Sequence, residues 1–138
     1  MDRFPRVQEV VLPILRQALP DDVTVTSWVP DIDYRKYPVI NVRRLGGPRH
    51  RANPRQMDLP VIEMAVYHNE GLPEAEDLYI RALEALYEAQ KKQITINSGR
   101  IAHVRETMGA TQFPAQFQDA YRIQGLIELG IRPPRKET

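Results

Sequence analysis

The sequence predicts an α+β fold, a mainly antiparallel sheet of about five strands with two helices packed on it, in the order α-β-β-β-α-β-β. Three observations carry that expectation. Two stretches, 7–19 and 73–92, repeat apolar residues at i, i+3, i+4 and i+7, the spacing that lines one helix face. Several shorter stretches alternate apolar with polar residues and are rich in β-branched side chains, as half-buried strands are. Prolines and glycines separate the two kinds. The length of 138 residues suits a single domain over 1–132, with a short C-terminal tail over 133–138.

The first helix is expected from about 4 to 19, with Val7, Val10, Val11, Ile14, Leu15, Ala18 and Leu19 facing inward. Pro5 suits a first turn, where its missing N–H is not needed. Pro13 predicts a kink, because an internal proline removes one helical hydrogen bond and crowds the preceding turn. Val23–Val29 alternates and reads as the first strand, with Trp28 as a packing anchor and Pro30 as its stop. Asp31 and Asp33 fall in the polar turn that follows. Pro38 opens a second strand over 39–45. A third follows at 59–67, with Ile62, Met64 and Val66 inward and Val61, Glu63, Ala65 and Tyr67 opposite.

The second helix, about 73 to 92, carries Ala75, Leu78, Tyr79, Ala82, Leu83 and Leu86 as its apolar stripe. Glu74, Glu76 and Asp77 near its start and Lys91 and Lys92 at its end complement the helix dipole. Tyr79 and Tyr87 read as core-rim packing. Two more strands are expected, near 100–108 and over 120–131. The connection 109–119 holds Phe113 and Phe117, apolar groups that need a pocket at home or a neighbour.

Nineteen Lys and Arg against eighteen Asp and Glu leave a net charge of +1. No global field therefore points to nucleic acid or membrane. The absence of cysteine excludes disulfide scaffolds, thiolate zinc sites and cysteine nucleophiles. A basic segment followed by an apolar stretch is missing at the N-terminus, and no apolar run approaches the ~20 residues that span a bilayer. The expectation is a soluble intracellular domain. His50, His68 and His103 stand outside metal-ligand spacings, and Ser27 and Ser98 lie outside the GxSxG elbow. The sequence calls for no catalytic residue, no metal and no cofactor.

One segment departs from this plain background. From Val42 to Met57 there is no acidic residue, while Arg43, Arg44, Arg49, Arg51 and Arg55 supply five guanidinium groups. Two readings fit: a solvated excursion that aids solubility, or a surface docking on carboxylate or phosphate, both of which the planar guanidinium fork binds bidentately. No aromatic side chains are interleaved there, which disfavours stacking on single-stranded nucleic acid. A module that binds duplex DNA through 43–55 is a further alternative, opposed by the near-neutral total charge.

The order of elements and several segments resemble the tail terminator (minor tail) proteins of long-tailed, lambda-like phages. The likeness lies in the amphipathic helix Val7–Leu19 and the Tyr37-Pro38-Val39-Ile40-Asn41-Val42 strand start. It continues through the long loop, the alternating segment Leu59–Tyr67, the helix after a Pro/Glu-rich turn, and the terminal strand Tyr121–Ile131. It spans about residues 5 to 132. The resemblance implies a non-catalytic virion protein, assembled in the host cytoplasm and sited at the head-proximal end of the tail. It further implies a homohexameric ring that caps the tail tube, stops its polymerisation, and offers a surface to a head-tail connector or stopper. DNA would pass through such a ring without sequence-specific binding. Another connector or stopper ring component has a similar build and stands as the nearest alternative. In either case Arg43, Arg44, Arg49, Arg51, Arg55, Phe113 and Phe117 are the candidate interface residues.

Overall fold

The computed structural model describes residues 4–27, 36–115 and 120–134. Trp28, Asp31, Asp33, Phe117 and residues 135–138 lie outside the described residues. The elements run α1 (Val7–Ala18), β1 (Thr24–Thr26), β2 (Val39–Arg44), β3 (Val61–His68), α2 (Leu72–Lys91), β4 (Thr95–Ile96), β5 (Gly99–Phe113) and β6 (Tyr121–Arg132). The strands form one six-stranded sheet in the order β1-β2-β3-β6-β5-β4. Only β1 and β2 are parallel, and the other neighbours are antiparallel. The α+β expectation holds, with one strand more than expected.

α1 is shorter than the 4–19 expected, because Phe4 precedes a proline, a position biased to extended backbone. The helix continues through Pro13, which sits on the exposed side. Leu12 is buried and Ala18 is exposed, so the apolar face is rotated slightly from the one expected. α2 buries all six expected stripe residues and adds Ala89. No described helix is long and apolar enough to cross a membrane.

Both helices pack on one face of the sheet. There Val10, Val11, Leu15, Tyr79, Leu86 and their neighbours meet Ile40, Val42, Ile62, Met64, Val66, Ile123 and Ile127 in a continuous core. Each such aliphatic side chain contributes about 1.5–3 kcal/mol by leaving water. Gly125 makes room for α2, since a Cβ there would lie 1.9 Å from the Tyr79 hydroxyl oxygen.

The strand limits differ from expectation for local reasons. β4 pairs Thr95 with Arg100 and Ile96 with Gly99, a two-residue strand too short to show any alternation. β5 runs to Phe113, five residues beyond the expected end at Met108, so Phe113 belongs to the strand and not to a linker. Register shifts between Ile101 and His103, Glu106 and Met108, and Met108 and Thr111 break its period-2 pattern.

The sheet's second face is not the plain solvated face that alternation suggests. Val39, Ala65 and Tyr67 are buried on it. So are Asn41, Glu63 and Gln124. Arg122 lies over the rings of Tyr67 and Phe113, at 5.8 and 5.5 Å from their centroids. The same guanidinium stands 3.8 Å from Glu63 and donates to the side-chain oxygen of Gln124. Glu63 also accepts from Arg43 at 3.0 Å. Register Val39↔Tyr67↔Arg122 and Asn41↔Ala65↔Gln124 brings these residues together across three strands. The cross-strand pairs thereby satisfy one another's charge.

Candidate interface surfaces

The arginine segment is built as a braced excursion from the sheet end. Gly46 and Gly47 have φ of 93° and 90°, a left-handed region that only glycine enters without strain. A Cβ on Gly47 would lie 2.2 Å from the Leu59 carbonyl oxygen. The outgoing and returning arms are closed by Leu45 N–H to Val61 O at 2.7 Å and Val61 N–H to Gly46 O at 3.1 Å. Asp58 pairs with β6, donating its N–H to Ile131 O at 2.9 Å and accepting from Ile131 N–H at 2.8 Å. His50 Nδ1 accepts the N–H groups of Ala52 and Asn53, each at 3.1 Å, and shapes the tip.

The five arginines divide by what they touch. Arg44 grips the buried Asp58 carboxylate with both terminal nitrogens, at 2.8 and 3.1 Å. Its Nε also donates to Gly46 O at 3.0 Å, and one terminal nitrogen to Gly47 O at 2.7 Å. Arg44 thus locks the base of the loop. Arg43 pairs with Glu63 on the second face. Arg49 lies 4.5 Å above the Phe4 ring, a cation–π contact that ties the loop to the chain's start. Arg51 and Arg55 are exposed and make no ion pair among the described residues.

Arg55 has unexpected company. With Gln56, Arg100, Arg132 and Pro133 it lines a surface concavity of about 260 Å³. A second hollow of about 440 Å³, lined partly by Ile96, Asn97, Arg100, Pro133 and Pro134, shares Arg100 and Pro133 with the first. Arg100 and Arg132 are register partners across β5 and β6. Sequence reasoning missed both. They stand 45 and 77 positions from Arg55, and only the strand register and the loop's attachment to β6 join them. None of the described residues lining the first hollow is acidic, so its chemistry is that of an anion site for carboxylate or phosphate.

Phe113 ends β5 half-buried under Arg122, and Phe117 lies outside the described residues. The β5 edge is the other open feature. β4 covers it only at Gly99 and Arg100, and residues 105–107 and 109–112 are exposed. The opposite edge is short, and Arg16 donates to Val25 O on β1 at 3.2 and 2.8 Å, blunting it.

The remaining polar chemistry is structural. His68 Nδ1 accepts from Glu70 N–H at 3.2 Å, and His103 Nε2 meets Glu128 at 3.1 Å. No group of three metal-ligating side chains occurs among the described residues. Burial pushes the Tyr79 hydroxyl up to about 12, with the Glu106 carboxylate and then Tyr87 adding to the rise.

The family model described as phage tail termination protein matches residues 3–138. The Gene 22 protein of Mycobacterium phage D29 is 51% identical over 139 residues, covering 100% of both chains. The Gene 22 protein of Mycobacterium phage L5 is 52% identical over 136 residues, covering 98% of each. Among solved structures, a chain of the virion of a native gene transfer agent particle shares the fold at a TM-score of 0.58 and 16% identity, covering 91% of this chain and 94% of that one. The chain belongs to the phage tail termination protein family and is a structural protein of the phage tail.

Proposed function

We propose that six copies of this chain close into a ring on the head-proximal end of the tail tube, halt tube growth there, and present a surface to the head-tail connector. The ring carries no catalytic function and lets DNA pass. The family match over residues 3–138 supports this reading. The structural observation that carries it is the asymmetry of the sheet edges. A cyclic ring needs a heterologous contact, one surface of each copy against a different surface of the next. This chain offers a long open edge on β5, while the edge at β1 is three residues long and blunted by Arg16. Exposed strand edges pair with other chains unless something prevents it.

Arg51, exposed and without an ion pair among the described residues, docks on the acidic surface of the tube or the connector. Purified protein mixed with tail tubes and viewed by negative stain should show rings on one tube end, and tube length should stop increasing. Tubes that elongate unchanged in its presence refute the reading. Reversing Arg51 to Glu should weaken capping without unfolding the protein, as read by circular dichroism. Retention of capping would place docking elsewhere on the surface.

A further inference from the structure

We infer that the ring is closed by charge: the acidic outer face of α2 in one copy seats in the Arg55–Arg100–Arg132 concavity of the next. This rests on the ring reading above and adds the surfaces that meet. Among the described residues the concavity holds three guanidinium groups and no carboxylate. None of the three is ion-paired among the described residues. Three like charges around one hollow repel each other, and an anionic occupant relieves that repulsion.

The chain carries a matching occupant. On α2, Glu76, Asp77, Ile80 and Glu84 are all exposed. At 3.6 residues per turn they fall within an arc of about 100° and span roughly 12 Å. Ile80 is 52% exposed, the most exposed large apolar side chain among the described residues. The three carboxylates around it have no ion pair among the described residues. An apolar knob flanked by three carboxylates, with Arg81 at the margin of the stripe, is complementary to a hollow walled by arginines and, in its adjoining half, by Ile96, Pro133 and Pro134.

The same molecule cannot make this contact. The stripe lies on the side of α2 opposite Ala75, Leu78, Tyr79, Ala82 and Leu86, which face the sheet. The hollow lies where β4, β5, β6 and the arginine loop meet at the sheet end. Two different surfaces meeting between copies make a head-to-tail contact, the kind that closes a ring. Guanidinium–carboxylate forks around an apolar centre also supply the desolvated anchor with a polar rim that strong interfaces share.

The test uses two variants of the full chain, Arg55→Glu/Arg132→Glu and Glu76→Lys/Glu84→Lys. Assembly is followed by native mass spectrometry of the protein free in solution and recovered from tail tubes. Each variant alone should assemble at least about tenfold more weakly than wild type, with an unchanged circular dichroism spectrum and melting temperature. Mixed in equal amounts they should assemble again in alternation, because each acidified hollow then faces a basic helix and each basic hollow an acidic one. Wild-type rings alongside variants that assemble equally well overturn this inference alone. Wild type that assembles neither free nor on tubes overturns the ring reading and this inference with it. If the arginine variant assembles normally but loses affinity for duplex DNA, the hollow is a phosphate site and the inference fails.

Discussion

Replacing Arg44 with alanine separates loop architecture from docking. Asp58 has a side chain only 6% exposed, and Arg44, itself 37% exposed, is its bidentate partner. Removing one member of a buried ion pair costs about 3–5 kcal/mol, because the other charge stays buried without compensation. Arg44 is open enough for water to take part of its place, so the expected loss is smaller, about 2–3 kcal/mol. The Gly46 and Gly47 carbonyls also lose donors, but they lie near solvent and rehydrate. For a domain of this size that loss lowers the melting temperature by roughly 8–12 °C. Urea denaturation followed by far-UV circular dichroism should show a lower midpoint with an unchanged slope. The double variant Arg44→Ala/Asp58→Ala removes the stranded carboxylate as well and should recover more than about 1 kcal/mol of the loss. A single-variant loss below about 0.5 kcal/mol, the range of exposed pairs, would refute the bracing role and return Arg44 to the docking surface.

Other substitutions probe the fold at defined points. The Tyr79 hydroxyl is buried with no partner among the described residues, and its pKa is raised to about 12 from the ordinary 10.0. A raised value means the folded state favours the protonated phenol, so this contribution is complete below pH 10 and is lost as pH rises to about 12. Tyr79→Phe should therefore move the alkaline unfolding midpoint upward and change stability at pH 7 by no more than about 1 kcal/mol, toward greater stability. Gly125→Ala should destabilise by about 2–3 kcal/mol in urea, since the added carbon meets Tyr79 Oη at 1.9 Å and the Met108 carbonyl oxygen at 2.9 Å. Gly47→Ala places a side chain at φ of 90° against the Leu59 carbonyl. It should speed trypsin cleavage at Arg49, Arg51 and Arg55 well before any change in the core is seen.

The helices and the inward strand faces were legible because a regular period survives in them. The α2 stripe and the Ile62, Met64 and Val66 face are placed as their spacing predicts. Legibility failed where period gives way to pairing. β5 carries three register irregularities, and its outer half reads from the sequence as a linker for that reason. The Glu63–Arg122 layer was invisible because its members are 59 positions apart and alternation alone assigns them to solvent. The arginine-rich stretch was conspicuous as composition, yet composition does not say which guanidinium finds a carboxylate. Asp58, one residue beyond the acid-free stretch, decides the fate of Arg44. Arg100 and Arg132 join Arg55 only because Asp58 pairs with Ile131 and draws the loop to the end of β6.

This division of labour bears on how the loop docks. A run of five arginines on a mobile loop would bring much charge to a partner but would pay to order it. Here three of the five are engaged within the chain: Arg43 on Glu63, Arg44 on Asp58, and Arg49 on Phe4. Arg43 and Arg44 neutralise internal carboxylates, and all three hold the loop in one shape, which lowers the ordering cost of any docking event. With Arg55 facing the neighbouring copy, Arg51 and the still-charged Arg49 supply the loop's long-range attraction to a docking partner. Salt should therefore weaken the capping interaction as expected for two charges per copy, not five. A titration of capping from low to high ionic strength distinguishes the two cases. Arg49→Gln/Arg51→Gln should remove most of the salt dependence, whereas Arg43→Gln should leave it nearly intact and act mainly on stability. A salt response that instead tracks Arg43 would mean that the Glu63 pair opens on docking, and that the loop yields where the structure shows it braced.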